Sequence, residues 1–308
     1  MSNRKNYSRQ NDKLTKAIVS FLILAVTAVG AYFYSAGEQP ESENVNSNFQ
    51  AGDTLAVNFL DVGQGDSEFI QLPNGECMLI DAGISESASK IASKITELGY
   101  EKIDYLIATH PHADHIGGMQ KIVENFEIGE IYMPRASTNT KTFENLLQAI
   151  SDKGLSINTA KAGKVIFDSD DLKIEFIAPI SDSYKDLNNY SAVVRLQYGN
   201  SVFLFTGDAE GLAENEMLNA YSKSVLKADV LKVGHHGSNT ASSADFINAV
   251  LPKYAVIEVG EGNSYRHPHE ESIRNLNAVG AEILRTDTNG NITIVSDKMS
   301  ITVQCEKD

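Results

Sequence analysis

The sequence predicts an α/β fold in which two β-sheets pack face to face between outer layers of helices, preceded by one transmembrane helix. Three observations lead to this prediction. Short apolar stretches of strand length alternate with helix-length stretches through both halves of residues 52–308. Several neighbouring strands are separated only by turn residues, as in hairpins. One apolar segment near the N-terminus, residues 17–36, is long enough to cross a bilayer.

The apolar segment 17–36 is flanked asymmetrically. Basic residues precede it, acidic residues follow it, and it contains the aromatic run Tyr32-Phe33-Tyr34 near its end. This arrangement predicts a cytoplasmic basic tail at residues 1–16 and a single-pass anchor in the cell membrane, with the remainder outside the cytoplasm. A cleaved signal peptide is the alternative, because small residues such as Ala28 leave room for cleavage, and the protein would then be secreted.

Residues 37–51 are polar and predict a flexible linker to one domain at residues 52–308. Residues 1–36 contain five basic side chains and one acidic one, so 21 basic and 40 acidic side chains remain, a net charge of −19. Residues 37–308 are so acidic that they would repel a polyanion, which disfavours tight non-specific binding to nucleic acid. A phosphodiester substrate is still compatible with this charge. Cys77 and Cys305 lie in strand-like sequence without metal-site spacing, and their pairing is left open.

The first half of the domain begins with strands and a hairpin turn at 73–75. A helix that ends near Gly99 follows, then a fully apolar strand that leads into a histidine-rich loop. The predicted strands are 54–62, 68–72, 77–81, 103–108 and 130–133, and the predicted helices are 86–98, one that ends near Asn125, and 142–153.

The second half repeats this alternation and closes with three strands, and the mixture of hairpin-linked strands and helices predicts a four-layer arrangement. The predicted strands are 165–167, 172–178, 191–198, 201–206, 229–233, 254–259, 282–285, 291–295 and 301–304, and the predicted helices are 210–221, 244–250 and 270–279.

The histidine-rich loop contains four potential metal ligands within six positions: His110, His112, Asp114 and His115. In an extended segment His110 and His112 point the same way, whereas Asp114 and His115 follow where the chain turns. This geometry suits two adjacent metal ions better than one. Without a metal, the burial of so many titratable groups would be costly, so the cluster predicts a metal centre.

Two further strand ends carry possible ligands. Asp208 directly follows the apolar run 202–205, and its carboxylate could bridge two cations or cap the next helix. His235 and His236 follow another apolar strand and lie between two glycines. One histidine of this pair is expected to complete the second metal site.

The pattern His110-x-His112-x-Asp114-His115 resembles the signature of the metallo-β-lactamase superfamily. The stretches 59–67, 79–83, 205–210 and 232–238 are similar to the hydrolase domain of ComEC-type competence proteins, which belong to DNA uptake. The resemblance covers residues 52–308 and implies the αββα metallo-β-lactamase sandwich, with the site at an edge where strands of both halves end. It implies two divalent metal ions with these ligands: His110, His112, Asp114, His115, Asp208 as the bridge, and His236.

The resemblance also implies supporting roles for other residues. His235 then supports a ligand or contacts substrate, and Asp81 orients the metal loop. The glycines of stretch 61–66 are expected to shape a turn beside the site rather than a phosphate-binding loop, with Asp66 near the metals. The superfamily usually supplies another histidine to the first metal, but the equivalent stretch 187–191 has none, so Asn189 or water would take that position. Imidazoles and carboxylates without thiolate suit Zn²⁺, Mn²⁺ or Fe. Two such ions would hold a hydroxide for in-line attack on phosphorus.

The remaining candidate is His267, in His267-Pro268-His269 on a predicted loop before a helix. Together with Asp114, His267 is predicted to be catalytic: it would donate to a phosphate oxygen or protonate the leaving group. A solvated turn is the alternative for this segment.

These observations predict a membrane-anchored, extracytoplasmic metal-dependent phosphodiesterase or nuclease. DNA is the leading substrate because the resemblance is to DNA-uptake proteins. Phosphodiesters of the cell envelope are the alternative, which the acidic body favours, and lactam hydrolysis is a third. A non-catalytic metal-dependent binding module also stays open, because Asn188-Asn189 replaces the expected histidine. One spanning segment cannot conduct DNA, so a channel partner would be required; the oligomeric state is left open.

Overall fold

The computed structural model describes residues 54–307. The predicted basic tail, membrane anchor and linker up to residue 51 lie outside the described residues. Within residues 54–307, no helix combines the length and the apolar character that a membrane span requires.

The first sheet has eight strands in the order β15-β14-β1-β2-β3-β4-β5-β6. Strands β3 to β6 run parallel, whereas β1, β2, β14 and β15 pair antiparallel. The strands of this sheet are β1 Leu55–Phe59, β2 Glu68–Gln71, β3 Cys77–Ile80, β4 Lys102–Ile107, β5 Glu127–Met133, β6 Ile157–Thr159, β14 Ile292–Ser296 and β15 Ile301–Cys305.

The second sheet has seven strands in the order β13-β12-β11-β10-β9-β8-β7. Strands β10 to β13 run parallel and β7 to β10 pair antiparallel. The strands of this sheet are β7 Val165–Asp168, β8 Leu172–Ala178, β9 Val193–Tyr198, β10 Ser201–Phe205, β11 Val230–Lys232, β12 Tyr254–Ile257 and β13 Glu282–Arg285.

The helices connect the parallel strands and lie outside the sheets. They are α1 Ala88–Glu97, α2 Ala113–Ile116, α3 Met119–Asn125, α4 Lys141–Asp152, α5 Gly211–Ala220, α6 Lys223–Leu226, α7 Ala244–Val250, α8 Glu270–Ala278 and α9 Thr286–Asn289. Short 3₁₀ turns lie at Ser85–Ser87, Leu187–Tyr190 and Gly234–Gly237.

Three apolar clusters confirm the four-layer αββα arrangement. The central cluster lies between the sheets and joins residues of both, including Phe59 and Phe205, whose ring centroids are 6.1 Å apart. A second cluster packs α1, α3 and α4 on the first sheet, and a third packs α5, α7 and α8 on the second. Alternate residues of each strand therefore enter different cores, as the period of two requires.

The parallel strands decide where the loops meet. Strands β3, β4, β10, β11 and β12 all end in loops that carry buried polar side chains, among them Asp81, His110, Asp208, His236 and Glu258. Parallel strands in one sheet end at the same edge, and these loops converge at one edge of the sandwich. The fold thus brings polar groups from both halves of the chain together.

Two local details differ from the sequence predictions, and the structure answers one question that the sequence left open. The helix expected after the histidine-rich loop is interrupted at Gly117-Gly118, where the chain packs so closely that a Cβ on Gly118 would lie 2.3 Å from the Ala82 oxygen. Strand β6, Ile157–Thr159, was not predicted, since three half-polar residues give no clear alternation. Cys77 and Cys305 lie on strands separated by three others in the first sheet, too far apart for a disulfide.

Candidate metal centre

Asp81 anchors the histidine-rich loop. It follows β3 with a positive φ of 52°. Its Oδ1 accepts the N–H of Thr109 at 2.8 Å, and its Oδ2 accepts the Thr109 hydroxyl at 2.5 Å. The same Oδ2 lies 2.7 Å from His115 Nδ1. Asp81 therefore holds the loop and fixes the His115 tautomer, which leaves Nε2 available as a metal ligand.

His110 and His112 point to one place. His110 Nε2 and His112 Nδ1 are 3.0 Å apart. Thr109 Oγ1 and Ser191 Oγ lie 3.2 and 3.5 Å from the other nitrogen of His110. His110 is fully buried, so burial first, and then the neighbouring His115, lower its pKa well below the ordinary value. A neutral imidazole is the form that binds a metal.

Asp208 lies at the middle of the cluster. Its Oδ2 is 3.2 Å from His115 Nε2 and 3.8 Å from His110 Nε2. Its Oδ1 is 3.7 Å from His236 Nε2. Helix α5 begins after Glu210 and has no side-chain cap, so the alternative role of Asp208 as a helix cap finds no support. The position suits a carboxylate that bridges two ions.

The second group of ligands consists of Asp114, His115 and His236, whose ligand atoms lie within 4.8 Å of one another. His236 donates through Nδ1 to the Glu258 carbonyl oxygen at 2.9 Å, which leaves its Nε2 3.5 Å from Asp114 Oδ2. Each histidine of this group thus has one nitrogen bound to the protein and the other facing the carboxylates.

The donor atoms fit a metal. Asp208 Oδ1, His115 Nε2 and His236 Nε2 are buried and have no hydrogen-bond partner within residues 54–307. Orphaned buried polar atoms are rare in folded proteins and indicate a missing partner. Imidazoles and carboxylates without thiolate suit divalent first-row ions such as Zn²⁺ or Mn²⁺.

The charged groups of the cluster shift one another's pKa values. Burial acts to lower the pKa of His236, but the carboxylates of Asp208 and Asp66 raise it to about 10. The pKa of Asp208 lies well below its ordinary value, because the His115 and His236 charges outweigh the effect of burial. Protons thus compensate the buried carboxylates when no ion is bound, and metal binding must release them.

Asp66 contacts the candidate ligand His236 and the buried Lys232. Its Oδ1 lies 3.2 Å from His236 Nδ1, and its other oxygen pairs with the buried ammonium of Lys232. Glu68 and Glu258 complete this internal charge cluster, and all four side chains are almost fully buried. Sequence analysis missed Lys232 and Glu258, although a single charge near the end of an otherwise apolar strand was a usable signal.

His235 lies near Oδ2 of Asp208, the carboxylate oxygen that His110 also approaches. Its Nε2 is 3.7 Å from Asp208 Oδ2, and its Nδ1 is 3.1 Å from Glu210 Oε1 and 3.0 Å from Thr240 Oγ1. His235 and His236 both have positive φ, 47° and 52°. This backbone sends one imidazole toward each oxygen of Asp208. Sequence analysis did not single out Glu210, the carboxylate that orients His235.

Asn189 is engaged elsewhere. Its Oδ1 accepts the N–H of Ala213 at 3.1 Å, and its Nδ2 donates to Glu210 Oε2 at 3.4 Å. The structure thus directs the amide oxygen to the start of α5. Among the predicted residues, Asn189 is the one whose donor oxygen is not brought to the cluster.

His267 covers the cluster from the loop before α8. Its ring lies 6.3 Å from that of His236 at 28°, and 5.5 Å from that of His235. Burial, together with the neighbouring imidazoles, lowers the pKa of His267 to about 4. The imidazole is therefore neutral near pH 7. Its buried Nδ1 has no hydrogen-bond partner in the described part of the chain.

A sequence model described as the Metallo-beta-lactamase superfamily matches residues 60–260. The chain is also 33% identical to the ComE operon protein 3 of Bacillus subtilis over 253 residues, which are 77% of this chain and 32% of that protein. It is 31% identical to the competence protein ComA of Neisseria gonorrhoeae, over 76% of this chain and 31% of that protein. The chain thus spans about a third of the length of these relatives.

Solved structures agree on the fold. The metallo-beta-lactamase fold protein YhfI from Bacillus subtilis superposes with a TM-score of 0.51 at 15% identity, over 79% of this chain and 100% of that one. This likeness concerns the architecture alone.

Proposed function

The chain belongs to the metallo-beta-lactamase superfamily, and on that premise we propose that it is a metal-dependent phosphodiesterase that acts on nucleic acid. One observation carries the proposal: buried, unpartnered donor atoms of His115, Asp208 and His236 converge from loops of both halves. The similarity to competence proteins supports nucleic acid as the substrate class.

We propose two ion positions that share Asp208. The first would be held by His110, His112 and Asp208, and the second by Asp114, His115, His236 and Asp208. Two divalent ions held by these residues would supply a nucleophile at neutral pH and would neutralise charge that develops on the phosphoryl oxygens.

His235 is the proposed replacement for the histidine that stretch 187–191 lacks. Its Nε2 approaches the same oxygen of Asp208 as His110 does. Its Nδ1 contacts the Glu210 carboxylate, the arrangement that metal-bound histidines commonly show. Asn189 donates and accepts its hydrogen bonds at α5 instead.

Metal content tests this ligand. We expect His235→Ala to retain about one ion per chain where the wild type retains two, measured by elemental analysis after gel filtration, because only the first position loses a ligand. His269→Ala removes a neighbouring imidazole outside the cluster and serves as the control. Two tightly held ions in His235→Ala would refute the assignment.

The protein's own groups have distinct roles in the proposed reaction. Asp81 and Glu210 orient His115 and His235. His267 is neutral near pH 7, since burial lowers its pKa to about 4, so it would donate an N–H to a phosphoryl oxygen rather than release a proton.

Turnover decides between an enzyme and a binding module. We expect the wild type to hydrolyse bis-p-nitrophenyl phosphate and single-stranded DNA with Mn²⁺ or Zn²⁺, and Asp114→Ala to lose at least about 100-fold in rate. Asp152→Ala, which removes an exposed carboxylate on α4, is the control. If neither substrate is turned over with any metal tested, the enzyme hypothesis is refuted and the non-catalytic binding module is favoured.

Glycerol-phosphate polymers test the rival substrate class, because they represent envelope phosphodiesters without nucleobases. If these polymers are hydrolysed faster than single-stranded DNA, envelope phosphodiesters and not nucleic acid are the substrate class. Hydrolysis of a lactam in preference to both would argue for the third alternative.

We also propose that residues 17–36 anchor the chain in the membrane with the domain outside the cytoplasm. The basic flank of this segment supports that orientation. In a variant without native cysteines, an impermeant maleimide should label Ser137→Cys in intact cells, because Ser137 is exposed. Labelling only after lysis would contradict the proposed location of the domain outside the cytoplasm.

A further inference from the structure

Loop 260–269 presents two side chains that the proposed chemistry does not use. Tyr265 is 62% exposed, although it is a large aromatic residue. Arg266 follows it and is also exposed. Both precede His267, which covers the metal centre.

The ring of Tyr265 continues a stack that starts at the metal ligands. Its centroid lies 5.6 Å from that of His267, with an interplanar angle of 24°. His267 in turn lies over His236, 6.3 Å away at 28°. One face of the tyrosine ring thus packs toward the site, and its exposure leaves the other face open to solvent.

The loop that carries Tyr265 is held in place. Asn263 donates through Nδ2 to the carbonyl oxygens of Gly260 and His267 at 3.0 and 2.7 Å, and its Oδ1 accepts the N–H of His267 at 3.0 Å. Gly260 N donates to Gln64 Oε1 at 3.2 Å, which ties the loop to the other half of the domain. The aromatic face is therefore positioned before any ligand arrives.

Arg266 adds a positive charge beside this face. Its φ is 62°, a conformation that non-glycine residues rarely adopt and that is often retained at functional sites. Within residues 54–307, Arg274 and Arg285 pair with Glu271 and Asp287, whereas Arg266 forms no salt bridge. An arginine without a carboxylate partner in the described part of the chain, beside the proposed phosphodiesterase site, suits a phosphate group.

We propose that Tyr265 and Arg266 form a nucleotide-binding subsite, in which a base next to the scissile bond stacks on Tyr265 and the adjoining phosphate binds Arg266. The inference rests on the proposed phosphodiesterase function and narrows it to single-stranded nucleic acid. An open aromatic face recognises a planar base in any sequence, whereas glycerol-phosphate polymers offer no ring to stack.

The tyrosine is tested through affinity. Base stacking on an aromatic side chain contributes about 1–3 kcal/mol, so Tyr265→Ala should raise the Kd for a fluorescent single-stranded oligonucleotide about 5- to 150-fold. Tyr265→Phe retains the ring and should restore most of the affinity. Binding is measured by anisotropy in an Asp114→Ala background to prevent cleavage.

An oligonucleotide with abasic positions supplies the complementary test. It should bind the Asp114→Ala protein as weakly as the intact oligonucleotide binds after Tyr265→Ala, and Tyr265→Ala should not weaken it further. Equal affinity of the intact and abasic strands, or an unchanged Kd after Tyr265→Ala, would overturn the subsite.

The arginine is tested through salt dependence. Loss of one phosphate contact lowers the slope of log Kd against log salt by about 0.7 for a single strand, so Arg266→Ala should show that reduction. Arg274→Ala removes an exposed arginine that pairs with Glu271 and should leave the slope unchanged. An unchanged slope after Arg266→Ala would remove the phosphate contact from the proposal.

Hydrolysis assays distinguish a failure of the proposed phosphodiesterase function from a failure of the proposed nucleotide-binding subsite. Failure of the wild type to cleave any phosphodiester would refute the proposed function, while the binding assays would still report on the subsite. Cleavage of bis-p-nitrophenyl phosphate with base-independent oligonucleotide binding would keep the function and reject the subsite.

Discussion

At the scale of single residues, the site depends on backbone conformations that side chains normally avoid. Asp81, His235 and His236 all have positive φ, between 47° and 52°. Such conformations persist only where the surroundings hold them, and they cluster at functional sites. Here they aim the Asp81 carboxylate at Thr109 and His115 and send two successive imidazoles to two oxygens of Asp208.

Substitutions of Asp208 and of His267 should have different effects on metal binding and on the catalytic rate. Asp208→Ala should lose both metal and activity, because the shared carboxylate contacts ligands of both positions. His267→Ala should keep its metal and lose about 100-fold in kcat, the effect of removing one donor to the reacting group. Elemental analysis and steady-state rates measure both effects. Full metal occupancy in Asp208→Ala would contradict the bridging role.

Glu258 should make stability depend on pH. Burial beside Asp66 raises the pKa of Glu258 from 4.5 to about 8. The folded protein therefore retains a proton there that the unfolded chain releases above its own pKa. The free energy of unfolding should then fall as pH rises from about 4.5 to 8, by about 1.4 kcal/mol per pH unit for one proton.

The variant Glu258→Gln should remove most of this dependence. Glutamine keeps an acceptor for the Ser67 N–H, which Glu258 Oε1 now accepts at 3.0 Å, and carries no titrating proton. Urea unfolding between pH 5 and 9 in the presence of a chelator measures the slope. Glu282→Gln, at an exposed position, is the control, and a slope equal to the wild type in Glu258→Gln would disprove the linkage.

At the scale of elements, close backbone approach positions the ligand loops. Gly65 lies in the turn between β1 and β2, and a Cβ there would lie 2.3 Å from the Asp114 carbonyl oxygen. The Asp66 N–H also donates to that oxygen at 3.2 Å. The turn 60–66 thus supports the Asp114 loop.

Gly65→Ala should therefore weaken metal binding more than folding. Displacement of Asp114 should lower the affinity of the second ion at least about tenfold, measured by titration with Zn²⁺ or Mn²⁺. Gly75→Ala is the matched control, because Gly75 also has positive φ but its Cβ would contact nothing within 4 Å. That variant should cost about 1 kcal/mol of stability and leave metal affinity unchanged. Equal metal affinity in both variants would exclude the supporting role.

At the scale of the whole molecule, the candidate metal centre draws its residues from both halves of the domain. His110 to His115 follow a strand of the first sheet, and Asp208 and His236 follow strands of the second, while Phe59 and Phe205 pack across the interface between the sheets. An ion held by both sets binds the folded state and finds no such site in the unfolded chain. Metal binding and folding are therefore linked.

This linkage predicts a metal-dependent melting temperature. Zn²⁺ or Mn²⁺ at 100 times its Kd should stabilise the protein by about 2.7 kcal/mol, and a chelator should reverse the effect. Differential scanning calorimetry across a metal titration measures the shift. Asp208→Ala should respond little to either treatment, and an equal response in that variant would place the stabilising ion elsewhere.

Much of the fold follows from local pattern. Strands 172–178 and 282–285 and helix 244–250 have the predicted bounds, because apolar periodicity and turn residues are properties of a few neighbouring residues. The histidine-rich motif predicted the candidate metal centre for the same reason, since its four possible ligands lie within six positions of the chain. Strand β6 escaped prediction, since its pairing with β5 and not its own composition makes it a strand.

The sequence by itself determined the residue types of the metal centre and the alternation of strands and helices, because both are written in short stretches of chain. Only the tertiary structure decided which groups meet. Lys232, Asp66 and Glu258 form one buried charge cluster, and Glu210 orients His235, although these residues are far apart in the chain. Distance and burial arise when the two sheets pack, and no local pattern encodes them.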